Sequence, residues 1–425
     1  MQKKWIFILL FIIANLTVFY ITPIMFDDDV KKFPFFYYLL RFSFLVLIIF
    51  LLPLVFSDHI KNAKSKAASG LLSISIVFLF IIYLSEAFLT FYPETNGKND
   101  TYCSKTWMYY YWKLNKLGFR DIEFETMDPN KPAIVFAGDS YTEGHGIKNP
   151  SNRVSDIIRK EFKGFNIYNI GKNGMDINDE LKLIKNMPIR PQILVLQICS
   201  NDWDYLNKPV SLNTPKRTLL FAEVQSSFFT KYFISFNYLS SKLENLIANS
   251  FSSNLSDQEL NKIYTSFKID KSKIINSKNN LSVLEYAVAN SPMSEDSIQS
   301  NLFKMFKQYN SSLRIMTDSS VFSDYLNKLA ELKKFCDTQD ATLIVVPYPN
   351  MDDFSMKIAN KYTNRYLCNL ISKQGINCLD VFPNLKKANL STYTVNKSDN
   401  HANEDASKII ADTLIRYIRT NIAEQ

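Results

Sequence analysis

The sequence contains few side chains that could act as a catalytic base. It has three histidines, His59, His145 and His401. His59 lies between two long apolar runs. His401 follows Asp399 by two positions, in a predicted loop that leads into the final helix. A carboxylate in that position can orient an imidazole as the general base of a Ser-His-Asp arrangement.

The candidate nucleophile is Ser140, in the motif GDSYTEG at positions 138–144. The motif directly follows the apolar run AIVFA at 133–137, which is typical of a buried parallel strand. α/β sheets bind ligands at the carboxyl ends of such strands. The glycines permit a tight turn, in which the backbone N–H of Ser140 can face an incoming oxyanion. By itself, Gly-Asp-Ser occurs by chance in many chains.

Two further predicted strand ends carry groups that could donate a hydrogen bond to the same oxygen. A strand at 166–170 leads into GKNG, which ends at Gly174, and a strand at 192–198 leads into CSND, which contains Asn201. The alternative is ordinary turn chemistry at strand ends. That alternative holds if His401 proves remote from Ser140.

These motifs are positioned by alternating strands and helices, a pattern that predicts a parallel sheet covered on both faces. The predicted strands are 133–137, 166–170, 192–198, 342–346 and 377–382, and the predicted helices are 151–162, 179–186, 323–336 and 402–418. Residues 205–320 interrupt this alternation of strands and helices. They are interpreted as an insertion, either a lid or a substrate-facing subdomain.

The ordered motifs resemble those of the SGNH (GDSL-type) hydrolase superfamily over roughly residues 114–418, including the lead-in NKLGFRD at 115–121. The resemblance implies a three-layer α/β/α fold and an enzyme that acts on ester bonds. After the third strand, the family usually has the motif Gly-x-Asn-Asp. In this chain the corresponding motif is CSND, with Cys199 in place of the glycine. In the last motif of the family, two residues often separate the aspartate from the histidine, whereas one residue separates Asp399 from His401 here.

By this resemblance, Ser140 is the nucleophile, His401 is its base and Asp399 orients the base. The oxyanion hole consists of the Ser140 N–H, the Gly174 N–H and the Asn201 side chain.

Other polar residues near the motif have less specific interpretations. His145 either lines the pocket or has a packing or surface role, and the second reading is favoured. Asp139 is interpreted as a buried acceptor for turn amides. No Cys/His/Asp spacing indicates a metal site and no glycine loop indicates phosphate binding, so no cofactor is expected. Five cysteines leave several disulfides open: Cys368 with Cys378, or pairs involving Cys103 or Cys336.

The first 92 residues contain three apolar stretches, at 5–25, 35–56 and 68–92, each long enough to cross a bilayer core. A cleaved signal peptide fits the first stretch less well because no small-x-small site follows it. The flanking loops carry two, two and three lysines in chain order. This bias favours a cytoplasmic amino terminus and second loop, which places everything after residue 92 outside.

The chain therefore divides into a membrane anchor, 1–92, and a globular domain, 93–425, that contains the insertion. The formal net charge of +8 over 425 residues is mild and dispersed. It does not have the basic clusters of a nucleic-acid-binding protein.

Three functions remain open. The leading hypothesis is a membrane-anchored serine esterase that removes acyl groups, acetyl foremost, from a cell-surface glycan. The second is an O-acyltransferase that resolves the same acyl-enzyme with a sugar hydroxyl and needs a membrane partner to supply acyl groups. The third is a non-catalytic surface assembly module, against which the retained motif residues argue.

Overall fold

A computed structural model describes most of the chain after residue 90. The described residues are 91–97, 101–199, 234–251, 257–269, 286–306, 315–349, 356–385 and 390–422, with isolated positions at 74, 77, 81, 84, 85, 88, 89, 202, 203 and 206. The helices are α1 Tyr102–Tyr111, α2 Ser140–Glu143, α3 Val154–Glu161, α4 Ile177–Asn186, α5 Ile234–Phe251, α6 Asp257–Ser266, α7 Glu295–Phe306, α8 Ser319–Thr338, α9 Met356–Ser372 and α10 Glu404–Asn421. The strands are β1 Ala133–Gly138, β2 Asn166–Asn169, β3 Ile193–Ile198, β4 Thr342–Pro347, β5 Asn377–Cys378, β6 Thr394–Asn396 and β7 Asp399–Ala402.

Strands β1 to β5 form one parallel sheet in the order β2-β1-β3-β4-β5. This is a doubly wound order whose direction of winding reverses between β1 and β3, and ligands bind at that reversal. β1 and β3 are buried along their whole length. Their continuous apolar sequences follow from this burial, because helices cover both faces of a parallel sheet.

Two apolar cores lie on opposite faces of the sheet. Alternate strand residues such as Val135 and Leu194 pack with α4, α8 and α9, whereas Ile134 and Val195 pack with α3 and α10. The predicted α/β fold with a parallel sheet in three layers is therefore confirmed.

Several predicted element boundaries shift for local reasons. The helix expected at 151–162 begins at Val154, because Pro150 starts a separate short 3-10 turn. The final helix begins at Glu404, where the Asn403 side chain accepts a hydrogen bond from Ala406 N. The strand expected at 377–382 pairs only over Asn377–Cys378.

The last two strands form an antiparallel hairpin in which Thr394 pairs with Ala402 and Asn396 with Asp399. Asp399 and His401 were expected in a loop, but both lie on β7. A three-residue strand beside a four-residue strand has too few apolar positions to give a periodic signal.

The chain divides into two compact units. One comprises Met1–Trp112 with Asn213–Ile247, and the other Lys113–Leu212 with Ala248–Gln425. The predicted insertion contains the helices α5, α6 and α7, of which most of α5 belongs to the first unit. The boundary at 92 and the role of the insertion remain predictions.

The first two predicted membrane spans and most of the third lie outside the described residues. Among the residues that are described, no helix has the length and apolarity to cross a bilayer. Isolated positions within 68–92 are helical. Several of them carry exposed apolar side chains, namely Ile74, Val77, Ile81, Leu84 and Phe88, whereas Leu89 is buried.

One of the possible disulfides is present. Cys368 on α9 is bonded to Cys378 on β5, and the two are ten positions apart in sequence. The bond fixes the edge strand of the sheet to the helix that precedes it.

Candidate active site

The nucleophile turn, residues 138–144, is a sharp bend from β1 into the four-residue helix α2. Gly138 has a φ of 144°, and a Cβ at this position would lie 2.6 Å from the carbonyl oxygen of Gln197 on β3. The Asp139 side chain caps α2 by accepting a hydrogen bond from Tyr141 N at 3.0 Å. The helix ends at Gly144 in the left-handed region, with a φ of 78°. Ser140 is thereby held at the carboxyl edge of the sheet.

His401 links Ser140 to Asp399. Its Nε2 lies 2.7 Å from Ser140 Oγ, and its Nδ1 lies 2.6 Å from Asp399 Oδ1. Asp399 Oδ1 also accepts a hydrogen bond from His401 N at 3.2 Å, and the carboxylate is fully buried. Asp399 and His401 are two positions apart on a strand, so their side chains project to the same side. This is the spacing of a hydroxyl nucleophile, a general base and its orienting carboxylate.

A second histidine lies beside this chain of hydrogen bonds. The ring of His145 is 4.4 Å from that of His401, and its Nε2 lies 3.5 Å from Asp399 Oδ2. Burial, followed by the neighbouring His401, lowers the pKa of His145 to about 3, although Asp399 opposes the shift. His145 is therefore a neutral, interior residue and not a surface residue.

The ring of Tyr141 contacts the His401 ring, and Tyr348 packs against Tyr141. Tyr141 lies 4.8 Å from the His401 ring and 4.6 Å from the ring of Tyr348. Tyr348 directly follows β4, and the sequence pattern does not single it out. Its position after an apolar run was the available signal, but one aromatic residue after a strand is common.

The second strand end forms what we call the oxyanion turn, residues 171–175. Lys172 N donates to Gly138 O at 3.0 Å, which ties this turn directly to the end of β1. Gly174 has a left-handed φ of 78°, and a Cβ at this position would meet nothing within 4 Å. Ser140 and Gly174 thus come from adjacent strand ends. Asn201, the third predicted donor, lies outside the described residues.

The third strand end is fixed by a buried carboxylate. Asp202 Oδ2 accepts from Cys199 N at 2.5 Å, and Cys199 Sγ donates to Asp139 Oδ2 at 3.1 Å. Burial, with Glu180 and Asp139 nearby, raises the pKa of Asp202 well above its ordinary value. The Cys199 thiol therefore connects this strand end to the nucleophile turn.

Within the described part of the chain, one group of side chains has the composition of a metal site. The ligand atoms of His145, Asp399 and His401 lie within 4.8 Å of one another. However, His401 Nδ1 and Asp399 Oδ1 are 2.6 Å apart, whereas two ligands on a zinc ion are separated by roughly 3.3 Å. The spacing fits a hydrogen bond between these two atoms.

No protein-family model matches the sequence, and no curated protein matches it either. Similar solved structures exist at low sequence identity. One is phospholipase A1 from Streptomyces albidoflavus, with 9% identity and a TM-score of 0.34 over 67% of this chain and 99% of that chain. A member of the lipolytic G-D-S-L family from Veillonella parvula has 11% identity and a TM-score of 0.29 over 68% and 98%. A two-domain esterase active on acetylated mannans has 9% identity and a TM-score of 0.29 over 68% of this chain and 49% of that chain.

At these identities and TM-scores, the likenesses carry no argument about the activity or the substrate of this chain. The resemblance of this chain to the SGNH (GDSL-type) hydrolases is predicted from its motifs, and the doubly wound parallel sheet and the contacts among Ser140, His401 and Asp399 agree with that prediction.

Proposed function

We propose that this protein is a membrane-anchored serine esterase that removes acyl groups, acetyl foremost, from a cell-surface glycan. The observation that carries the proposal is the continuous hydrogen-bonded chain from Ser140 Oγ through the His401 ring to Asp399, at 2.7 Å and 2.6 Å. A base held within hydrogen-bond distance of a hydroxyl group by a buried carboxylate is the arrangement that activates a serine as a nucleophile.

In the first half-reaction, Ser140 Oγ attacks the ester carbonyl carbon while its proton passes to His401 Nε2. The carbonyl oxygen becomes an oxyanion, which the N–H groups of Ser140 and Gly174 and the Asn201 side chain stabilise. Such a donor contributes about 3–4 kcal/mol to the stability of the transition state. The intermediate then expels the sugar oxygen, which takes the proton from His401, and the acyl group stays on Ser140.

In the second half-reaction, His401 removes a proton from water and the resulting hydroxide attacks the acyl-enzyme. Collapse of this intermediate releases the carboxylic acid and returns the proton to Ser140. Throughout, Asp399 keeps the Nδ1 proton of His401 in place and stabilises the imidazolium. His401 must therefore be neutral at the start of each half-reaction.

The extracytoplasmic location is also a proposal. It is supported by the lysine bias of the predicted loops and by the disulfide between Cys368 and Cys378, because disulfides persist in oxidising compartments. The exposed apolar side chains at helical positions 74, 77, 81, 84 and 88 are consistent with a lipid-facing helix.

The proposal is tested with the full chain in detergent, acetylated glycans and a chromogenic acetyl ester. We expect acetate release in the wild type and a fall in kcat of at least about 10³-fold in Ser140→Ala. Ser323→Ala, which removes an exposed hydroxyl on α8, is the matched control and is expected to retain activity.

Two results would change the conclusion. Acetyl transfer to an added glycan without comparable hydrolysis would replace the esterase with the O-acyltransferase. Turnover that is equal in the wild type and in Ser140→Ala would reject both enzymatic functions.

A further inference from the structure

Glu143 is a buried carboxylate close to the candidate site that the mechanism does not use. It is the last residue of α2, three positions after Ser140, and only 3% of its surface is exposed. Its Oε2 accepts a hydrogen bond from the backbone N–H of Asn173 at 2.6 Å. Asn173 directly precedes Gly174, so this carboxylate contacts the oxyanion turn beside the proposed donor.

The start of the oxyanion turn is held by other groups. The Asn169 side chain donates to Thr142 O at 2.7 Å and accepts from Gly171 N at 3.0 Å. A Cβ on Gly171 would lie 2.8 Å from Glu143 N, so the two turns are in direct backbone contact there. Lys172 is anchored to β1 through Gly138 O.

Towards its tip, the turn is held by fewer bonds. Met175 N donates to Lys172 O at 3.3 Å, a long hydrogen bond within the turn itself. The bond to Glu143 is shorter and connects the tip to the nucleophile turn. This bond holds the peptide unit between Lys172 and Asn173, which directly precedes the unit that carries the Gly174 N–H. The position of the Gly174 N–H therefore depends on the Glu143 carboxylate through one residue of backbone.

Three positively charged side chains lie close enough to the Glu143 carboxylate to affect its pKa. Arg120, from the segment before β1, donates to the carbonyl oxygens of Gly144 and Ile147, and Arg153, from the segment before α3, donates to Arg120 O. Lys172 belongs to the oxyanion turn itself. Burial raises the pKa of Glu143 to about 7, and the Asn173 N–H, Arg120, Arg153 and Lys172 limit the rise.

We propose, on the basis of the esterase function proposed above, that Glu143 is a positioning residue that holds the Gly174 N–H in the oxyanion hole through its hydrogen bond with Asn173. An ionised carboxylate accepts this bond more strongly than a protonated one. The oxyanion turn is therefore held more firmly above about pH 7 than below it.

The inference is tested by steady-state kinetics on the full chain with the chromogenic acetyl ester, at several values between about pH 5 and pH 9. Rates are expressed per active serine, counted by fluorophosphonate labelling, and folding is checked by thermal unfolding. The variants are Glu143→Ala and Glu143→Gln. Glu161→Gln, an exposed glutamate paired with Arg419, is the matched control.

We expect Glu143→Ala to lower kcat by about 10- to 100-fold with KM changed less than about threefold, because a misplaced donor acts mainly on the transition state. Glu143→Gln keeps an acceptor oxygen and loses less activity. Its kcat no longer shows the partial step near pH 7 that we expect from Glu143 in the wild type. The control behaves as the wild type.

Two results would overturn the inference while leaving the esterase intact. The first is a folded Glu143→Ala whose kcat per active serine is within about twofold of the wild type. The second is an unchanged pH profile in Glu143→Gln. Wild-type turnover that survives in Ser140→Ala would instead reject the esterase function itself.

Discussion

At the scale of single residues, the candidate chemistry depends on a contact between side chains 261 positions apart, Ser140 and His401. The Asp399 carboxylate is fully buried and lies against both histidine rings. The His401 ring gains a proton during the proposed reaction, whereas the His145 ring stays neutral. The buried negative charge is thus available to the imidazolium of His401.

Replacing Asp399 with Asn tests this division of roles. The amide N–H₂ group cannot accept a hydrogen bond from His401 Nδ1–H. The tautomer of His401 that carries its proton on Nε2 is therefore favoured, and in that tautomer Nε2 cannot accept the proton of Ser140. We expect kcat to fall by about 10³- to 10⁴-fold with the fold retained, as measured with the chromogenic ester and by circular dichroism. A folded Asp399→Asn with near wild-type kcat would show that Asp399 does not orient the base.

His145 gives a prediction about pH. Its pKa of about 3 means that the ring stays neutral at every pH above about 4 in the folded chain. An unfolded histidine takes up a proton near pH 6.5, so this residue lowers the free energy of unfolding as the pH falls below that value. Ring chemical shifts followed by NMR, assigned with His145→Gln, are expected to be constant between about pH 5 and 8. A titration in that range would contradict the buried, neutral state.

At the scale of elements, the sharp turn between β1 and α2 presents the nucleophile. The turn requires a glycine at position 138, because the φ of 144° and the contact with the Gln197 carbonyl leave no space for a Cβ. The neighbouring turns are then held against it by Asn169 and Glu143. The position of Ser140 thus depends on main-chain geometry and on hydrogen bonds between turns.

Gly138→Ala is expected to lower the free energy of unfolding by about 3 kcal/mol or more, from backbone strain together with overpacking. It should also lower kcat. Gly164→Ala is the matched control, since a Cβ there meets nothing within 4 Å, and its effect should stay within about 0.5 kcal/mol. Chemical denaturation measures both. Equal stability of the two variants would show that the turn tolerates a side chain at position 138.

The sequence predicts the long elements better than the short ones. Strands β1, β3 and β4 are recognisable because burial on both faces makes them nearly continuous apolar runs. The β6–β7 hairpin has no such signal, so Asp399 and His401 were expected in a loop. Glu143 and Tyr348 were missed for a different reason. Their places beside the candidate site depend on which turns become neighbours in the folded chain, and chain order does not give that.

At the scale of the whole molecule, the predicted anchor and the disulfide lead to the same expectation about sides of the membrane. A secreted-type reporter that needs an oxidising compartment, such as alkaline phosphatase, should be active when fused after Gln425 and inactive when fused within the loop at 57–67. The reverse pattern of activity would place the candidate site in the cytoplasm. That result would exclude a cell-surface substrate while leaving the ester chemistry possible.

The central claim is that Ser140 carries an acyl group during turnover. The most direct measurement is mass spectrometry of the full chain, quenched in acid during reaction with the chromogenic acetyl ester and digested into peptides. We predict one added acetyl group on the peptide that contains Ser140, which appears during turnover and is absent from Ser140→Ala. Turnover of the ester with no acetyl group on Ser140, or with the acetyl group on another residue, would contradict the proposed mechanism.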